Sequence, residues 1–258
     1  FLAGTLKNYT GMKARARTKE ARQSQRLIIG PWVHGSPNIN KHVVGEFDFG
    51  AGAAKDFNKM RLPWFDYWLK RKDSGVMDEP PVRIFVMGRN EWRDEEDWPL
   101  PDTCYTNYYL HDGRSGSIES LNDGTLMSKP PVGSENPDSF LYDPEHPVPN
   151  LGGNTLGIPD GVIDQRPVDE ICLTFTSEPL SKELEVTGPV KAVLYGMSSA
   201  PDTDWVVRLT DVHPDGYSRP VCDGILRARY RNSFEHPELL DPGKVYRFEI
   251  DLWATSNV

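Results

Sequence analysis

The residues with the clearest potential for chemistry lie in "LIIGPWVHG", residues 27–35, where Leu27, Ile28 and Ile29 run through Gly30, Pro31, Trp32 and Val33 to His34. An imidazole delivered onto a loop at the end of a short buried strand can act as a general base. It must then reach a nucleophile's hydroxyl with one ring nitrogen while a carboxylate orients the other. In an α/β-hydrolase the triad runs Ser, then Asp or Glu, then His, each on a loop beyond a strand end. The placement of His34 fits that base, and the rigid "GPW" before it would fix the loop, with Trp32 as a wall. Spacing alone also allows a structural loop histidine.

No other residues compete strongly for chemistry. His42 lies eight positions beyond His34, too far for a helical metal pair, and no third ligand is nearby. His111, His146, His213 and His236 sit beside Asp, Pro or Gly in turn-like sequence and read as surface residues. The acidic run "RDEEDW" (93–98) lacks calcium-loop spacing and reads as a solvated loop. "GRSGS" (113–117) is not a nucleophile elbow, because glycine directly follows the serine. Neither a dinucleotide-binding nor a phosphate-binding glycine loop occurs. Cys104, Cys172 and Cys222 are odd in number and widely spaced, which indicates neither a disulfide framework nor a zinc site.

The elements that must position His34 change character along the chain. Leu2, Leu6 and Tyr9 recur at helical spacing, and Arg26 to Ile29 reads as a short buried strand. Gly35 to Gly52 is glycine-rich and irregular. Phe57, Met60, Trp64, Phe65, Trp68 and Leu69 mark one face of an amphipathic helix, which Pro63 should kink and "KRKDSG" should close. From Val82 onward short β-runs alternate with Pro, Gly, Asp and Asn clusters, and no helix is expected. The runs are 82–88, 104–110, 170–177, 184–199, 204–212, 224–230 and 244–253, with "HPDGY" (213–217) as a hairpin turn. Residues 112–167 read as ordered loop. Lys13, Arg15, Arg17 and Lys19 read as a solvated helix face, and Arg227, Arg229 and Arg231 as a solvated strand face.

A chain of 258 residues with 38% apolar and 26% charged residues is an ordinary globular sequence with ample core. A formal charge of −9 argues against nucleic acid as a partner, since phosphate backbones reward a basic surface. No run approaches the roughly 20 apolar residues that span a bilayer, so no membrane is expected. The absence of a basic, apolar leader and of a disulfide pattern favours the cytoplasm. An abrupt start without Met, and too few α/β elements for an independent domain, read as a fragment of a longer chain.

Several long segments in order, "FLAGTLKNYTGM" (1–12), "LIIGPWVHG" (27–35), "RLPWFDYWLK" (61–70), "PPVRIFVMGRNEWRDEEDWP" (80–99), "DQRPVDEICLTFTSEPL" (164–180), "LEVTGPVKAVLYGMSSAPDTDWVVRLTDVHPDGYS" (184–218) and "DGILRARYRNS" (223–233), resemble the CocE/NonD hydrolases. These are relatives of cocaine esterase, X-Pro dipeptidyl-peptidase and the α-amino-acid ester hydrolases. The resemblance implies an α/β-hydrolase domain with a helical cap, followed by a β-jelly roll. It implies ester or amide hydrolysis through an acyl-serine, with no metal and no cofactor, and it makes His34 the triad base. The serine, the oxyanion-hole groups and the triad aspartate of such proteins would lie upstream of Phe1. Pro63 departs from the pattern, since that helix is normally unbroken. Glu46 and Asp48 match no substrate-binding motif and read as loop carboxylates.

The resulting expectation is α/β plus all-β. Residues 1–75 form the C-terminal segment of an α/β-hydrolase domain carrying His34, and residues 76–258 form a jelly-roll sandwich. The expected partner is a small ester, amide or peptide substrate, with a homo-oligomer left open. Alone, the chain would lack nucleophile and acid and be inactive. The competing expectation is a binding module for carbohydrate or protein, with Trp92, Trp98, Trp205 and Trp253 as stacking surfaces.

Overall fold

The structure is a computed structural model that describes residues 2–153 and 161–258. The first part is mixed. Helix α1 (Leu2–Arg15) and the short α2 (Lys19–Gln23) lead into strand β1 (Leu27–Ile29). The loop bearing His34 then runs to a two-residue hairpin, β2 (Val43–Val44) with β3 (Phe47–Asp48), and on to helix α3 (Phe57–Lys70). Asp56 caps α3 by accepting from the amides of Asn58 and Lys59.

Strand β4 (Val82–Val86) joins the two parts. It pairs in parallel with β1 on one edge and antiparallel with β5 (Glu91–Glu95) on the other. Its side chains alternate between two apolar clusters, as period-2 geometry requires. Val82 and Ile84 pack with Leu6 and Tyr9 of α1, Leu27, Trp98 and Leu100. Phe85 points the other way, to Val44, Phe49 and Ala53 around the histidine loop.

The remainder is mostly sheet. Strands β6 (Tyr109–His111), β7 (Gly124–Met127) and β8 (Phe175–Thr176) form a three-stranded sheet, with a one-turn helix α4 (Arg166–Asp169) before β8. The long strands pair as two antiparallel ribbons, β9 (Val186–Gly196) with β12 (Tyr246–Asn257), and β10 (Asp204–Val212) with β11 (Ser218–Arg227). Leu226, Phe248, Ile250 and Leu252 are buried in one core shared by both ribbons, against Ala192, Leu194, Trp205 and Val207. The end of β12 returns to the central sheet, where Met87 donates to Ser256 O at 3.0 Å and Val258 donates to Met87 O at 2.9 Å. Among the described residues the pairings make two- and three-stranded sheets rather than one continuous double sheet.

Several expectations are corrected. Pro63 lies within a helix that runs uninterrupted from Phe57 to Lys70, and none of that helix's residues is buried. Leu62, Phe65 and Leu69 are exposed, because no described element covers this face. The residue that ends α3 in the left-handed region is Arg71 (φ 57°), four residues ahead of the expected glycine. "RDEEDW" is not a loop: Arg93–Glu95 belong to β5, and Arg93 pairs with Glu95 and with Glu185. Only Arg227 of the arginine series lies in a strand. Ala228–Tyr230 form a 3-10 turn that sends Arg229 to Asp202 and Arg231 to Glu238. The expectation of no helix after Val82 misses α4, where Gln165 O accepts from the amides of Val168 and Asp169.

Candidate functional site

His34 lies on an exposed loop five residues past the end of β1. The indole of Trp32 donates to Ala53 O at 2.9 Å, and its ring meets Trp92 at 5.5 Å. Trp92 in turn donates to Gly52 O at 2.8 Å. Two tryptophans thus tie the strand-to-loop transition to the segment before α3. On the far side, Asn38 Nδ2 donates to the carbonyl of His34 at 2.5 Å and closes the turn that follows it. Val33, the residue before the histidine, packs against the cluster of Val44, Phe49, Ala53 and Phe85. The loop is therefore held by side-chain contacts on both flanks of His34, which keeps a surface imidazole in a defined place.

The β2–β3 hairpin that follows carries Glu46 at its turn and Asp48 in β3. Asp48 Oδ1 bonds the His42 ring at 2.7 Å and accepts from Gly50 N at 2.8 Å. These two bonds, the imidazole first, hold its carboxyl below the ordinary carboxylate range. Glu46 reaches away from the loop. Its Oε2 accepts from the amide of Asp164 and from the hydroxyl of Tyr217, each at 3.1 Å. Burial, reinforced by this carboxylate, pushes the Tyr217 phenol up to about 12. Burial also pushes Asp164 up, but the Arg166 guanidinium with the amides of Arg166 and Ser218 more than offsets it and leaves the carboxyl below its usual value. One residue beyond Glu46, at the start of β3, the ring of Phe47 lies under the Arg219 guanidinium at 5.0 Å.

The structure thus places His34 as the sequence suggests, in a loop after a short strand. Glu46 and Asp48 are not equivalent: Asp48 serves its own loop, while Glu46 bonds Tyr217, in the turn before β11 and 171 positions away. Neither Tyr217 nor Arg219 stands out in the sequence, where "HPDGYS" reads only as turn chemistry. Three of the four tryptophans considered as stacking surfaces are packed: Trp98 is buried, Trp205 meets Phe248 at 5.4 Å, and Trp92 meets Phe85 at 5.3 Å. Among the described residues no group of three or more His, Cys, Asp or Glu could hold a metal ion, and no helix is long and apolar enough to cross a membrane.

The mixed sheet with its histidine loop, continued by β-ribbons, matches known proteins. The family model for the X-Pro dipeptidyl-peptidase C-terminal non-catalytic domain covers residues 74–258. The chain belongs to that family, within the CocE/NonD group of hydrolases. It is 40% identical to a cocaine esterase of Rhodococcus sp. (strain MB1 Bresler), over 100% of this chain and 44% of the esterase. Among solved structures, an α-amino acid ester hydrolase superposes with a TM-score of 0.76 at 29% identity, covering 96% of this chain and 42% of that one. An aminopeptidase from a marine sediment archaeon, Thaumarchaeota archaeon, gives 0.73 at 28% identity, covering 90% of this chain and 39% of that one. The chain spans less than half the length of each of these three relatives.

Proposed function

We propose that this chain is the base-bearing portion of a serine hydrolase that cleaves ester or amide acyl bonds. His34 takes the proton of a serine hydroxyl as that oxygen attacks the acyl carbon, and returns it to the departing alcohol or amine. Water then repeats the cycle on the acyl-serine. The observation that carries the reading is the 40% identity to a cocaine esterase across the whole chain, with His34 on a braced loop beyond β1. On this reading the nucleophile and the orienting acid belong to a segment outside this sequence, consistent with the lack of a GxSxG elbow in the 258 residues. On the same reading residues 76–258 are a jelly-roll module attached to the hydrolase portion at 1–75.

The test uses the protein that carries both a serine elbow and this chain. His34→Ala should lower kcat/KM on an activated ester by roughly a thousandfold or more. Unchanged turnover would overturn the assignment. The chain by itself should take up no fluorophosphonate, and stoichiometric labelling would show that a nucleophile lies within it.

A further inference from the structure

We propose that Glu46 and Tyr217 are positioning residues for His34, joined in a clamp through which the β-rich module holds the base of a reaction it does not itself perform. The proposal rests on the reading of His34 as the base. Its evidence is a continuous set of contacts from the histidine loop to β11. Val33, directly before His34, packs in the cluster that contains Val44 and Phe49, which flank the hairpin turn. That turn is pinned from outside. Gly45 adopts φ 64° and bridges Val162, so closely that a Cβ on it would meet Val162 O at 2.2 Å. Glu46 N donates to the same carbonyl at 2.7 Å. The Glu46 carboxylate then takes the Tyr217 hydroxyl, at the residue where the 213–217 turn enters β11.

A second contact runs beside the first. Phe47 lies under Arg219, which is 4% exposed and is itself fixed by Asp211 and Asn257. Tyr217 ends the turn and Arg219 is the second residue of β11, and both meet the hairpin, Tyr217 at Glu46 and Arg219 at Phe47. The hairpin therefore answers to β11, and the loop before it answers to the hairpin. A base must sit within a fraction of an ångström of its productive place, and small displacements cost rate far more than binding.

The experiment compares Tyr217→Phe and Glu46→Gln with Tyr195→Phe, a control whose ring is 74% exposed on β9. All are made in the protein that carries the serine elbow and this chain. Tyr217→Phe keeps the ring beside His213, and Glu46→Gln keeps the side chain's size, so both should melt within a few degrees of the parent. Steady-state and single-turnover kinetics on an activated ester should show kcat and the acylation rate about tenfold lower, with KM unchanged. The double variant should be no slower than the slower single one, because both substitutions act on the same Glu46–Tyr217 bond. Full kcat in both single variants overturns the clamp, as does a rate loss that follows only a loss of thermal stability. The parallel His34→Ala variant separates the two readings. If it stays active the base assignment fails; if it is dead while the clamp variants match Tyr195→Phe, only the clamp fails.

Discussion

Gly224 of β11 lies so close to β12 that a Cβ on it would meet the carbonyl oxygen of Asp251 at 2.1 Å. The contact falls where the β9–β12 register shifts, between Asp251 and Ala254, and β11 approaches this bulge from the other ribbon. The glycine is required for space, since backbone at this distance cannot yield as a side chain could. Gly224→Ala should therefore force the ribbons apart and destabilise by about 2 kcal/mol, typical of overpacking. For a domain of this size that lowers Tm by roughly 4–8 °C. A variant melting with the parent would show that the ribbons can slide to admit a methyl group.

His111 bonds an acceptor at each ring nitrogen: Nε2 meets Lys129 O at 2.9 Å and Nδ1 meets Glu135 Oε1 at 2.6 Å. Two acceptors require two N–H groups, so the imidazolium is favoured. The Lys129 carbonyl, then the Glu135 carboxylate, raise the His111 pKa above its ordinary 6.5, with Asp112 adding to the effect. Because the folded value is the higher one, this stabilisation is fully present below about pH 6.5 and fades as pH rises through the folded pKa. The same Glu135 accepts from Asp112 N at 3.0 Å, so the ring helps close the ends of the 112–135 segment. Proton NMR of the His111 ring should show a raised titration midpoint that Glu135→Gln lowers, and the segment should be cut faster by protease at pH 8 than at pH 6. A His111 midpoint at or below 6.5 would sink this account.

How much of this was legible in the sequence depends on the range of each interaction. In β12 the alternation of Phe248, Ile250 and Leu252 with charged residues announces a half-buried strand, and all three are buried. Strand β1 and the loop histidine after it are likewise local patterns. Helix α3 shows its periodicity, but only Met60, Trp64 and Trp68 of the apolar face are half-buried while Phe65 and Leu69 are exposed, so the pattern is right and the packing it suggests is partial. The Glu46–Tyr217 and Phe47–Arg219 contacts join positions about 170 apart, and no local period records them. Arg229 and Arg231 keep the spacing of a strand although the backbone has already turned into a 3-10 helix. There the carboxylates of Asp202 and Glu238, not sheet geometry, decide where the guanidinium groups go.

Arg219 offers a further check. Its Nη2 donates to Asp211 at 2.8 Å and to Asn257 at 2.7 Å while the guanidinium plane covers Phe47. A lysine ammonium cannot supply the planar group that stacks and bonds at once. Arg219→Lys should lower stability by about 2 kcal/mol, read as a shift of the urea midpoint with an unchanged slope. An unchanged midpoint would mean that the stack and the two bonds are replaceable by a point charge.

The three cysteines should separate by reactivity. Cys104 is exposed, whereas Cys222 sits against the core shared by the two ribbons. Burial first, then the neighbouring carboxylates of Asp223 and Asp251, push the Cys222 thiol up to about 12. Only the thiolate attacks an alkylating reagent, so at pH 8 the raised pKa and the burial both hold Cys222 back. Burial also raises Cys172, with Asp169 adding to it. Iodoacetamide at pH 8 should therefore modify Cys104 first in the folded chain, with Cys222 last, and unfolding in urea should bring Cys222 to the rate of the others. Peptide mapping by mass spectrometry reads the order directly. Early modification of Cys222 in the folded chain would mean that the β10–β11 ribbon opens away from β12 on the timescale of the reaction, and that the shared core is looser than its burial indicates.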